Sequence, residues 1–255
     1  MKVRLPRPPR LQPDSVKSVG TTAGYSESPG QQFDGPLRYH GRMTQHPADG
    51  TTRDSISSLL TQRRKTCTLI SLELGCGDNK TLRDSIGIDI RDLPPVDLVG
   101  DACKILAKFP DGSVDEIHSS HFLEHLDDIR GLLLESARVL KPQGNFFATV
   151  PHFSNPFYYS DPTHRTPFGL YTPAYFVARS FTRRQVPIYE KPVPLSYISA
   201  DYHFKSHRPH YVRHAFKQFG RIFNFNDWTK EWYEERWVWL VPAHEIRYTL
   251  VNDCR

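Results

Sequence analysis

The chain has 255 residues, of which 38% are hydrophobic and 12% aromatic, enough apolar material for a real core and too much for a fully disordered chain. A formal charge of +5 makes it mildly basic, with much of the excess in Lys2, Arg4, Arg7 and Arg10 and in Arg63, Arg64 and Lys65. Four scattered cysteines (Cys67, Cys76, Cys103, Cys254) contain no Cys-x-x-Cys pair, which argues against a zinc ribbon, a redox pair or a disulfide scaffold and for a reducing, cytoplasmic setting; no early run resembles a signal peptide and none is long enough to span a bilayer.

Residues 1–52 lack periodicity and are rich in Pro, Gly, Ser, Gln and Arg, so they read as a disordered or loosely packed basic arm ahead of one domain over 53–255. Asp54 is placed to cap a helix over Ser55–Arg64. Thr68–Leu74 is an apolar first strand that opens into Gly75-Cys76-Gly77, and Ile86–Ile90 is a second strand carrying Asp89 near its end. Only Gly75–Ser85 separates the two, so the first crossover helix is very short or missing. Val96–Gly100 is a third strand ending at Asp101, Ala102–Phe109 a helical turn, and Val114–Ser119 a fourth strand. Leu126–Leu140 has apolar residues at helical spacing, with Pro142 and Gly144 as its stop, and Asn145–Val150 is strand five.

Alternating strands and helices imply an α/β fold with a mostly parallel sheet. Residues 151–209, dense in Pro, Tyr, Phe and His, form an ordered insertion that looks like a lid or binding loop and is too irregular for another sheet repeat. A helix at Tyr211–Phe219 and a strand pair close the chain: Arg236–Val241 and Glu245–Val251, joined at Pro242-Ala243-His244.

Glycines at a strand's end let backbone approach a ligand, because no Cβ intervenes and positive φ costs little. A carboxylate at the tip of the next strand is placed to accept from a ribose diol. Gly75, Gly77 and Asp89 therefore point to an adenosine-type cofactor at the carboxyl edge of the sheet.

Five stretches in order resemble the motifs of class I S-adenosylmethionine-dependent methyltransferases, of the type 11 kind: Leu72–Gly77, Gly87–Ile90, Val99–Ala102, Val114–His121 and the Arg138–Gly144 turn before strand five. The resemblance implies a Rossmann-like sheet with an antiparallel C-terminal strand pair, and S-adenosyl-L-methionine as cofactor. It implies that Glu73, Gly75, Cys76 and Gly77 line the methionine end, with Glu73 on the ammonium. Asp89, beside Ile90, would take the ribose hydroxyls, Asp101 and Ala102 the adenine, and Ser119, Ser120 and His121 would lie beneath the sulfonium. Asn79 stands where the family has its third glycine, and Lys80 reads as an exposed loop lysine. Val150–Ser154 with Ser160–Arg165 resembles a bacterial subgroup associated with glycan or cell-envelope biosynthesis.

Methyl transfer to a hydroxyl needs alignment and a base. His121 and His152 follow strands four and five, where α/β sheets bind ligands, and Asp161 and His164 come from the next loop. Arg165 could hold a phosphate or carboxylate; Phe153, Tyr159 and their aromatic neighbours suit either a sugar face or the core of the insertion. No Asn/Asp-Pro-Pro-Tyr type motif follows strand four, which disfavours an amine on a flipped base. His121-Phe122-Leu123-Glu124-His125 also spells H-x-x-E-H, a zinc-hydrolase pattern, but no third ligand is evident and no metal is expected. The expectation is O-methylation of a sugar, glycolipid or related small molecule. RNA methylation through the basic arm and a non-catalytic cofactor-binding module are the alternatives.

Overall fold

The computed structural model describes residues 52–205 and 213–253. Apart from Thr52, the expected basic arm lies outside these, as does Cys254.

Helix α1 (Arg53–Thr66) is capped by Thr52 and not by Asp54: Thr52 Oγ1 accepts from the Ser55 amide at 3.1 Å, and Ser55 Oγ accepts from the Thr52 amide at 2.9 Å. The strands that follow are β1 (Ser71–Leu74), β2 (Ile86–Asp89), β3 (Leu98–Val99), β4 (Val114–Ser120) and β5 (Leu140–Pro151), with α2 (Ala102–Leu106) and α3 (Ile129–Val139) among them. Beyond these come β6 (Val177–Ser180), β7 (Val193–His203), α4 (Arg213–Phe223), α5 (Asp227–Trp232) and β8 (Glu245–Asn252). The eight strands form one sheet in the order β3-β2-β1-β4-β5-β8-β7-β6, in which β8 alone runs against its neighbours. This is the expected mostly parallel, Rossmann-like sheet with an antiparallel C-terminal pair.

The apolar runs became strands because both faces of this sheet are covered: Leu72, Leu74, Ile88, Ile117, Phe146 and Val150 are fully buried. Strand order reverses between β1 and β4, which opens a crevice at their carboxyl ends.

Four sequence expectations are corrected. Pro142 and Gly144 do not stop α3; the chain turns extended at Leu140 and both residues lie within β5. The insertion contributes two strands to the sheet, β6 and β7. The strand expected at Arg236–Val241 is absent, because Tyr233–Trp237 is a wide helical turn held by a bond from Tyr233 Oη to the Val241 carbonyl at 2.8 Å. The antiparallel partner of β8 within the C-terminal pair is therefore β7. Asn252 ties this pair to the end of α3 and the start of β5, donating to the carbonyls of Ala137, Leu140 and Lys141 at 2.9, 2.8 and 3.2 Å.

Candidate functional site

The segment from Gly75 to Ser85 contains no helix, as its length requires. Polar clamps hold it instead. Glu73, 3% exposed, accepts from the amides of Thr81 and Leu82 at 2.8 and 3.1 Å and from Ser85 Oγ at 3.2 Å. Lys80 is not an exposed loop lysine: its ammonium donates to the Ser85 carbonyl at 3.0 Å and pairs closely with Asp97, which also accepts from the Gly87 amide. Gly87 makes room for this, since a Cβ there would lie 2.5 Å from Lys80 Cε.

Gly75 and Gly77 adopt φ of 68° and 58°, and the Gly75 amide donates to Ile88 at 2.8 Å, so the turn depends on glycine's freedom. Asp89, at the end of β2, accepts from the Gly77 amide at 2.9 Å and from the Arg91 amide at 2.8 Å, fixing the glycine turn to the second strand. Burial pushes the Cys76 thiol up to about 11, with Asp89 and Glu73 adding to it, so the thiol is neutral. Ile90 is half-exposed just past β2, and Asp101 caps α2 by accepting from the Lys104 amide at 3.0 Å, beside buried Ala102.

The crevice is a cavity of about 360 Å³, within the usual range for small-ligand sites. Glu73 and Thr81 line one side, His118, Ser119 and Ser120 the end of β4, and His121, Glu245 and Arg247 the other side. The Ser119 hydroxyl is buried with no hydrogen-bond partner among the described residues, an orphan that a bound polar ligand would satisfy. The glycine turn, Glu73, Asp89 and this hydroxyl together fit an S-adenosylmethionine-type cofactor; Glu73 Oε1 and Asp89 Oδ2 each accept one bond and keep a second lone pair for it, whereas Glu73 Oε2 already accepts two.

The expected bases are placed differently. His152 is fully buried and both its nitrogens are engaged, Nδ1 with Ser154 Oγ at 2.8 Å and Nε2 with Glu234 at 3.0 Å. It directly follows β5, bridges to Phe168 and lies outside the crevice lining. His121 is at the crevice, in the left-handed region at φ 51°, its amide donating to the Thr149 carbonyl at 2.9 Å. Glu124 and Glu245, at 3.5 and 3.4 Å, outweigh burial and hold its imidazolium up to about 9, which unsuits it to accept a proton at neutral pH. Asp161 and His164 lie beyond the Leu123–His125 turn, outside the crevice lining. Arg165 pairs with Asp127 at 3.1 Å, Phe153 packs on His152, and Tyr159 is 65% exposed.

Sequence reasoning missed Glu234. Its carboxylate accepts from the Leu170 amide at 2.8 Å and from Tyr202 Oη at 2.9 Å, besides its bond to His152. It locks the insertion, β7 and the Tyr233–Trp237 turn together; a glutamate inside an aromatic run was the only signal.

Residues 72–148 match the family described as a methyltransferase domain. That family binds S-adenosylmethionine. No curated protein matches the chain. Among solved structures, the chain is similar to an SAM-dependent methyltransferase from Archaeoglobus fulgidus, with 18% identity over 79% of this chain and 95% of that one and a TM-score of 0.49. It is also similar to phosphoethanolamine N-methyltransferase 2 of Haemonchus contortus in complex with S-adenosyl-L-methionine, with 15% identity over 78% of this chain and a TM-score of 0.42. The match spans 53% of that enzyme's length. The family match, with the sheet order, supports a class I S-adenosylmethionine-dependent methyltransferase. No helix among the described residues is long and apolar enough to cross a membrane.

Proposed function

We propose that the protein transfers a methyl group from S-adenosyl-L-methionine to an oxygen of a small-molecule acceptor, with sugars and glycolipids the first class to try. The observation that carries this reading is the crevice at the strand-order reversal, lined by Glu73, Ser119, Ser120 and His121 within the segment that matches a methyltransferase domain. When bound, the cofactor supplies a methyl carbon on a sulfonium. The chain's own part is orientation. Gly75 and Gly77 supply the left-handed turn, with Phe122 packed on Gly75, Asp89 fixes that turn, and Glu73 offers carboxylate charge to an ammonium. Ser119 and Ser120 offer hydroxyls at the floor, and His121, Glu245 and Arg247 give the acceptor side a charged rim. The absence of an Asn/Asp-Pro-Pro-Tyr type sequence at Ser119-Ser120-His121-Phe122 favours oxygen over an amine on a base.

Calorimetric titration with S-adenosylmethionine and S-adenosylhomocysteine tests the reading. Micromolar binding that weakens sharply in Asp89→Ala is expected, after which candidate glycans are screened with labelled cofactor. A folded wild-type protein that binds neither compound would overturn it.

A further inference from the structure

The H-x-x-E-H stretch has a second identity that the methyltransferase motifs do not absorb. It does not lie along a helix, so His121 and His125 are not a zinc-binding pair on one face. Leu123–His125 is instead a single tight turn that sends Glu124 inward, where it is fully buried. His121 Nδ1 stands 3.5 Å from one of its oxygens as an ion pair. Beyond that, neither carboxylate oxygen has a hydrogen-bond partner among the described residues. A buried carboxylate with one long ion pair and no hydrogen bond is costly, and closer donors or a metal ion would satisfy it.

The third ligand that the sequence failed to reveal arrives from the insertion. The amides of Arg165 and Thr166 donate to the Glu124 carbonyl at 2.7 and 3.4 Å, pinning the 161–166 loop against the turn. His164 is thereby brought beside His125, ring centroids 4.9 Å apart, and one ligand atom each of Glu124, His125 and His164 lies within 4.8 Å of the others. Ligands about 2.1 Å from a common ion are at most about 4.2 Å apart, so small side-chain rotations close the site.

The surroundings orient both imidazoles for this task. His164 Nδ1 donates to the Tyr158 carbonyl at 2.8 Å, and the ring stacks on Tyr158, leaving the Nε2 lone pair for a ligand, with Asp161 Oδ2 3.7 Å from that nitrogen. Thr163 Oγ1 donates to Asp161 at 2.6 Å, so His125 Nδ1 donates to Thr163 Oγ1 at 2.9 Å and again leaves Nε2 free. A ligating histidine characteristically gives its other N–H to a carbonyl or to a carboxylate-linked group in this way.

We propose that Glu124, His125 and His164 bind a divalent transition-metal ion, zinc or a borderline relative, with at least one coordination position open to an oxygen ligand. Two imidazoles with one carboxylate select such ions over magnesium or calcium, and three protein ligands are the number that leaves a position open. His121 joins the site to the crevice, since it touches Glu124 on one side and lines the cavity on the other. Binding of the ion does not depend on the reading under Proposed function.

The test uses the full chain, stripped with chelator and titrated with zinc by calorimetry and with cobalt by visible absorption. One equivalent of each should bind, magnesium should not compete, and Glu124→Gln, His125→Ala and His164→Ala should each abolish stoichiometric binding. Thr163→Val, which touches no metal and is exposed, should weaken binding by about 10- to 100-fold with the fold unchanged by circular dichroism. Acetohydroxamate, an oxygen chelator, should shift the cobalt spectrum. Absence of stoichiometric binding, or binding that survives all four variants, would overturn the site, and an unshifted spectrum would overturn the open position. None of these readouts depends on S-adenosylmethionine binding, so the two readings fail separately.

Discussion

His121 and Glu245 meet at 3.4 Å in the lining of the crevice, one just past the end of a parallel strand and the other at the start of β8, which runs against its neighbours. Glu245 also has His244 at 3.4 Å and His203 at 3.5 Å, and His121 above all holds its carboxyl down to about 2. A carboxyl with a depressed folded-state pKa stabilises the fold above its ordinary value of 4.5 and loses that contribution as pH falls toward about 2. Wild-type stability should therefore drop over this window, and Glu245→Gln should flatten the drop. Urea midpoints at stepped pH read this out; identical acid limbs in the two proteins would refute it.

Gly75→Ala should destabilise the protein by about 1–3 kcal/mol, because it puts a side chain on a left-handed residue. Its Cβ would stand 2.6 Å from Phe122, which adds a clash. Chemical denaturation measures the loss. Gly112→Ala is the control: its φ is similarly positive at 56°, but open space surrounds its Cβ position, so its penalty should be the smaller.

The parallel half of the sheet was legible because its short strands carry large aliphatic residues next to glycine and carboxylate signals, as at Leu72–Leu74 before Gly75 and at Ile86–Asp89. The antiparallel half was not. In β7 the alternation of Leu195, Tyr197, Ala200 and Tyr202 slips across an irregular register between Tyr197 and Ser199, which hides the period. Conversely Trp237-Val238-Trp239-Leu240-Val241 has a strand's composition, yet Tyr233 and its neighbours fold it as a helical turn and its end, a tertiary effect that propensity does not record. In the site, Glu73, Ser119, Ser120 and His121 from the ordered motifs line the crevice while the glycine turn and Asp89 do not, and no pattern could tell that His152 would be buried against Glu234.

Glu234→Ala should cost about 3 kcal/mol or more, since it leaves the Leu170 amide, Tyr202 hydroxyl and His152 without their shared buried acceptor. Glu234→Gln keeps the volume and an acceptor oxygen and should cost less. Guanidinium titrations of both variants test the order; equal losses would refute it and show that the carboxylate itself, not the volume it fills, is what counts.

Asn252→Ala should cost about 2 kcal/mol, because the carbonyls of Ala137, Leu140 and Lys141 lose a buried donor where α3 passes into β5. A thermal midpoint indistinguishable from wild type would rule this out.

The passage from β1 to β2 has no helical hydrogen bonds of its own, and its order is borrowed from Glu73, Lys80 and Asp97. Its middle, around Thr81 and Leu82, can detach without disturbing the sheet beneath it, because the bonds to Glu73 and Lys80 are few beside a strand ladder. Its amides should then exchange with deuterated solvent far sooner than those of β1 or β4, and one side of the crevice, Thr81, would have a lifetime independent of the protein's global unfolding. The rate at which a ligand enters from that side would be set by the chain's weakest loop and not by its strongest strand.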